Sequence, residues 1–214
     1  MNLMFYMTPG SCSTGIHILL ETLELPFEAT IVNLPAGDHR RPEYLAVNPK
    51  GTIPALRLQD GRVLTEFQAI AYWLARQHPR ARLLSEDPVL AAQTIELMDH
   101  VVGTVHGQGY TRIFTTDNYL PAGVVGDERK VWHDAVQARG REIVKQAFDL
   151  IETRLPAQGF AVGGHFSIAD AALFYVAFWA DKTGMALPPH CAAHYQLMRA
   201  RPVVQQVLRE EGYR

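Results

Sequence analysis

Cysteine is nearly absent from this chain: 214 residues hold only Cys12 and Cys191. Two cysteines make no disulfide framework, so an apolar core must carry the fold, and a reducing compartment suits both thiols. Long apolar runs are missing too. The longest, Ala171 to Ala180 between Asp170 and Asp181, falls well short of the ~20 residues that span a bilayer. No charged-then-apolar leader reads at the start, since Asn2 to Tyr6 is short and Thr8-Pro9-Gly10 interrupts it. A cytoplasmic protein with no membrane partner is expected. Positive charge is not in excess either. The formal net charge is −2, and the one basic cluster, His39-Arg40-Arg41, lies in a polar loop, so no nucleic-acid partner is expected. What remains, with 48% hydrophobic residues, is enough core for one large domain or two small ones.

Patterning divides the chain. Leu3-Met4-Phe5-Tyr6 reads as a buried strand, and Ile16, Leu19, Leu20 and Leu23 keep helical spacing after the Pro9-Gly10 turn. Phe27 to Asn33 alternates as a strand, and Pro42 to Val47 suits a short helix that Pro49 stops. Ala55 to Leu58 and Arg62 to Leu64 flank Asp60-Gly61, a hairpin signal. Thr65-Glu66-Phe67-Gln68 has the form of a capping box opening a helix from Glu66 to Gln77. This βαβαββα order predicts a thioredoxin-like α/β domain over residues 1–78, with the turns before Cys12 and Pro54 at one end of its sheet. A breaker-rich linker, 79–87, precedes helical patterns only, over 88–214. There Asp87-Pro88 starts one helix, which Gly103, Gly107 and Gly109 loosen. A second long helix is expected from Glu128 to Leu155. Ser167-Ile168-Ala169-Asp170 is a capping box ahead of a helix apolar on all sides, and two short helices follow near Cys191–Ala200 and Pro202–Glu211. The fold class is α/β plus all-α.

Two stretches carry chemistry. In Asn48-Pro49-Lys50-Gly51-Thr52-Ile53-Pro54 a proline heads a strand, which suits a cis Ile53-Pro54 bond that frees the Ile53 N–H and C=O for an extended peptide. At the first helix, Cys12 stands where the macrodipole favours thiolate, and the neighbouring Ser13 offers a hydroxyl. Cys12-Ser13-Thr14-Gly15 lacks a second cysteine, so any disulfide forms with a small thiol. His190-Cys191-Ala192-Ala193-His194 has metal-ligand types but no second pair nearby, and no metal is expected.

Together, Tyr6, Pro9-Gly10-Ser11-Cys12-Ser13, Asn48-Pro49-Lys50-Gly51, Ile53-Pro54-Ala55-Leu56 and Leu64-Thr65-Glu66 resemble the glutathione-binding half of cytosolic glutathione transferases, most closely the bacterial beta class. Phe166-Ser167-Ile168-Ala169-Asp170 resembles that family's buried capping motif. The resemblance implies a homodimer with glutathione as co-substrate, conjugating its thiolate to small apolar electrophiles in detoxification, with thiol–disulfide exchange through Cys12 as a side activity. It equally admits a glutathione-dependent isomerase, dehalogenase or ether-cleaving lyase, or a non-catalytic binding module. By resemblance, Ile53, Pro54 and Glu66 hold glutathione, and Cys12, Ser13 and His106 surround its sulfur. Phe67 stands where the family usually has serine, so weakened glutathione binding is expected. Asp99 is expected to reach the neighbouring subunit's glutathione. Tyr6, which other classes use to hold the thiol, suits core packing better here. Tyr110 and Phe114, with Phe166 and Trp179 less favoured, are expected to line the electrophile pocket.

Overall fold

A computed structural model describes residues 2–213. The N-terminal part is a four-stranded mixed sheet of order β2-β1-β3-β4. β1 (Leu3–Met7) and β2 (Phe27–Ile31) run parallel and are joined by α1 (Ser13–Thr22). After α2 (Pro42–Leu45), β3 (Ala55–Arg57) lies antiparallel to β1 with Ala55 opposite Tyr6. The end of β1 therefore meets the beginning of β3. The segments around Cys12 and Ile53 leave the sheet side by side, and the Ile53-Pro54 bond is cis. β4 (Val63–Thr65) completes the hairpin and α3 (Phe67–Gln77) follows. The order is the βαβαββα expected from the sequence.

Among the described residues, the regular elements after α3 are all helical. Asp87 caps α4 (Pro88–Asp99), its carboxylate accepting from the N–H groups of Val89 and Leu90 at 2.9 Å. The glycines beyond do not break this rod. They lie in a π-helical segment, His100–Tyr110, which runs directly into α5 (Thr111–Phe114). A Cβ on Gly109 would come within 2.5 Å of the Val144 side chain, so the glycine lets this rod approach α6 (Gly126–Glu152). α7 (Ile168–Lys182), α8 (Pro189–Arg199) and α9 (Pro202–Glu210) complete the chain.

The centre is α7, buried at every residue from Ile168 to Ala180. It packs against α1, α3, α4 and α8, and so joins the sheet half to the helical half. A Cβ on Gly15 of α1 would fall 2.7 Å from the Ala171 carbonyl, which shows how closely the two helices run. At the start of α7 the capping box is complete. The fully buried Asp170 carboxylate accepts from Ser167 N–H and Oγ and from Ala161 N–H, each at 2.8 Å, and pairs with His194 Nε2 at 2.8 Å. Asp170→Asn keeps the shape but sets an NH2 group against the donors at one of the two oxygens, and is expected to remove about 2–4 kcal/mol of stability. Urea unfolding monitored by far-UV circular dichroism reads this directly; an unchanged midpoint would contradict the assignment.

Candidate functional site

The site begins with one peptide plane. Asn48 is fully buried, and its Nδ2 donates to the Thr52 carbonyl at 2.7 Å. Tyr44 Oη donates to the same carbonyl at 2.6 Å. The C=O and N–H of a trans peptide point in opposite directions, so anchoring Thr52 C=O inward turns Ile53 N–H outward. Among the described residues that N–H has no hydrogen-bond partner. On its other side, the Ile53 carbonyl accepts the Cys12 thiol at 3.6 Å.

Cys12 sits at the N-cap of α1, 6% exposed. Burial pushes its thiol up to about 12, outweighing the lowering by the Cys12 and Ser13 N–H groups, and the charge of Glu66 adds to the rise. The dipole argument for a thiolate therefore loses to desolvation, and Cys12 is a neutral donor. The preceding turn is held from the helical half. Gly10 N–H donates to Glu211 Oε2 at 2.7 Å, and the Trp179 indole N–H donates to the Gly10 carbonyl at 2.7 Å. Gly10 has φ +71°, and a Cβ there would fall 2.0 Å from the Tyr213 hydroxyl. No other residue fits. Thr14 Oγ1 also donates to Glu211 Oε2, at 2.6 Å.

Aromatic rings of the helical half stand beside this turn. Burial, with the nearby Cys12 second, pushes the Tyr175 hydroxyl well above its usual range. That hydroxyl lies 3.3 Å from His106 Nδ1. Burial alone pushes His106 down to about 4, so its imidazole is neutral near pH 7. The Trp179 ring meets those of His106, Tyr110, Phe114 and Tyr175 at 5.0–5.2 Å. Tyr110 is fully buried and stacked on Phe114, which is 51% exposed. Across the turn, Glu66 is exposed with φ +73° and pairs with Lys50 Nζ at 2.6 Å.

A matched family model, "Glutathione S-transferase, N-terminal domain", covers residues 10–77, and its C-terminal counterpart covers 134–204. Glutathione S-transferase GstA of Escherichia coli O157:H7 is 34% identical over 98% of each chain. The chain belongs to the glutathione S-transferase family. A maleylacetoacetate isomerase of Pseudomonas aeruginosa is 29% identical over 94% of this chain and 92% of its own. Among solved structures, a Sulfitobacter glutathione transferase homologue with bound glutathione superposes with TM-score 0.89 at 30% identity, over 100% of this chain and 99% of that one. A beta-class transferase from Sphingomonas chungbukensis superposes with TM-score 0.79 at 28% identity, over 98% of both chains.

Against this family frame, the residues singled out in the sequence separate into two groups. Cys12, Ile53, Pro54, His106, Tyr110 and Phe114 converge on the seam, with Glu66 at its rim. Ser13, Phe67, Asp99 and Tyr6 spend their side chains on other contacts. Ser13 is fully buried, with Oγ 2.9 Å from the Thr8 carbonyl and 2.6 Å from Ser11 Oγ, so its hydroxyl closes the turn and does not face a ligand. Phe67, 3% exposed, packs its ring on Tyr175 with centroids 5.3 Å apart, and a Cβ on Gly15 would fall 2.7 Å from it. It is a core residue between the halves. The box expected at Thr65–Gln68 does not form: Glu66 is the N-cap without a side-chain bond, and Gln68 Nε2 donates to Asp99 Oδ1 at 2.8 Å. Asp99 lines a separate surface cleft with His100 and Glu96. Tyr6 packs with Tyr44, Val32 and Ala55 in a small core cluster of its own. Phe166 packs with Phe160 and Arg201, away from the other rings. In the His190–His194 segment, His194 binds Asp170 and Cys191 is buried. Sequence reasoning missed Tyr175 and Glu211. Tyr175 and Trp179 are four residues apart on one helix face, and hydroxyl and indole groups in an otherwise apolar helix signal partners.

Two outcomes are expected. At pH 7.5, iodoacetamide should label Cys12 far more slowly than free cysteine, on the order of a thousandfold, because so little thiolate forms. Mass spectrometry of timed samples measures this, and labelling as fast as free thiol would contradict a buried neutral sulfur. Phe67→Ser should lose about 3 kcal/mol of stability through the cavity left between Gly15 and Tyr175, without tightening glutathione binding. Paired denaturation and calorimetry separate those effects.

Proposed function

We propose that this transferase adds the thiolate of glutathione to small apolar electrophiles at the seam between its halves. The observation that carries this reading is the outward, unpartnered Ile53 N–H set beside Cys12. An extended peptide pairs with such an edge group through its own backbone, and glutathione brings a thiol at its central residue. Glu66, paired with Lys50 at the rim, receives the γ-glutamyl amine. The free N–H groups at the start of α3 receive the adjoining carboxylate, a contact that needs no serine at position 67.

Chemistry follows from the neutral groups around the sulfur. Cys12 is a thiol, so it stabilises the glutathione thiolate by donating a hydrogen bond and does not compete as a nucleophile. With its pKa near 4, His106 is too weak a base to take a thiol proton at neutral pH. It acts as a neutral wall with Tyr175 and Trp179. The rings of Tyr110, Phe114 and Trp179 bind the apolar electrophile, with Phe114 at the solvent side. Attack forms the carbon–sulfur bond and expels the leaving group. Exchange through Cys12 is slow because it requires Cys12 thiolate. A homodimer in the cytoplasm, serving detoxification, accords with this reading. The isomerase among the relatives favours one alternative: the same thiolate addition followed by elimination from the adduct. The non-catalytic reading loses its support, since Phe67 serves the core and Asp99 is paired with Gln68.

Steady-state kinetics with glutathione and an activated aryl halide provide the test. Glu66→Gln should raise KM for glutathione about ten- to a hundredfold with little change in kcat, the worth of one hydrogen bond to a charged group. Cys12→Ala should lower kcat about tenfold and leave conjugation measurable. Complete loss of activity in Cys12→Ala would make Cys12 the nucleophile, and an unchanged KM in Glu66→Gln would remove the γ-glutamyl contact.

A further inference from the structure

Away from the seam's mouth, α1 and α9 pack against each other and bring three ligand types together. A ring nitrogen of His17 and one carboxylate oxygen each from Glu21 and Glu210 all lie within 4.8 Å of one another. His17 is more than nine-tenths buried and already oriented. Its Nδ1 lies 2.9 Å from Oε1 of the buried Glu211 carboxylate, and the tautomer with the proton on Nδ1 offers the Nε2 lone pair to a metal. Nε2 lies 3.2 Å from Glu210 Oε2 and has no hydrogen bond among the described residues. Gln206 fixes the two carboxylates: its Nε2 donates to Glu21 Oε2 at 3.0 Å and to Glu210 Oε1 at 2.9 Å. One amide thus holds one oxygen of each and leaves the others for a shared partner. Among the described residues, no lysine or arginine pairs with Glu21, Glu210 or Glu211. Three carboxylates facing a single imidazole leave an excess of negative charge.

We propose that His17 Nε2, Glu21 and Glu210 bind a divalent transition-metal ion of the zinc type, with Glu211 and Gln206 orienting the ligands and water completing the shell. One imidazole and two carboxylates, with a carboxylate behind the imidazole, suit zinc better than magnesium or calcium, which prefer oxygen alone. The 3.2 Å spacing matches the edge of a tetrahedron with bonds of about 2.0 Å. Gln206 and Glu210 are four residues apart on α9, and His17 and Glu21 are four apart on α1, so each helix presents its pair on one face. Because Glu211 also holds Gly10 and Thr14, the ion stands directly behind the Cys12 turn and pins α9 to α1. The inference is independent of the transferase chemistry.

Metal-stripped full-length protein titrated with zinc chloride in a calorimeter tests this, with cobalt(II) absorption as a second readout. One saturable equivalent per chain is expected, with a rise in melting temperature that a chelator reverses. The Glu21→Gln/Glu210→Gln double variant should bind at least tenfold more weakly. Should that variant fold poorly, Glu210→Gln alone serves, because the Glu210 side chain is 44% exposed. Absence of stoichiometric binding would overturn the proposal. Equal binding by wild type and variants would also overturn it, placing the ion elsewhere.

Discussion

Both backbone polar groups of Gly10 are held by the helical half of the chain: the N–H by Glu211 and the C=O by the Trp179 indole. The turn that presents Cys12 is therefore positioned by residues roughly 170 and 200 places further along, and the sheet half alone does not define it. Burial strengthens both bonds, since the Glu211 side chain is 1% exposed and Trp179 is 7% exposed. Tyr213 against Gly10 and Phe67 against Tyr175 close the same seam. Stability and site geometry share one interface, and a change that separates the halves misplaces Cys12 as well.

That interface also sets the electrostatics. Cys12, His106 and Tyr175 are all neutral near pH 7, each driven there chiefly by burial. Glu66 and Lys50 stay at the solvent edge, while the Glu211 carboxylate is buried behind the turn. A thiolate entering such a site meets oriented neutral donors in a poorly solvated environment, where each hydrogen bond to it counts for more than in water. Ionisation of the incoming thiol is favoured by what accepts its charge and not by a strong base.

Local pattern made most of the fold legible. Leu3–Tyr6, the Asp60-Gly61 hairpin and Ser167–Asp170 each settle their structure within a few residues, and the elements match. Ile53 was legible for the same reason, because Asn48, Thr52 and Pro54 act on their immediate neighbours. What the sequence hid depends on distant partners. Ser13 reads as a donor toward the ligand until the Thr8 carbonyl is found beside it. Phe67 reads as a lost serine until Gly15 and Tyr175 surround its ring. The Gln68–Asp99 bond likewise joins residues 31 places apart. Cys12 shows the competition in one residue: helix position favours thiolate, while burial, invisible in the sequence, decides against it.

The most direct measurement is a crystal structure of the protein grown with glutathione. The tripeptide should lie along the Ile53 backbone with its cysteinyl main chain paired to the Ile53 N–H, its amine at Glu66 and its sulfur beside the Cys12 thiol. A glutathione bound elsewhere, or one whose sulfur points away from Cys12 and the His106–Trp179 rings, would contradict the account.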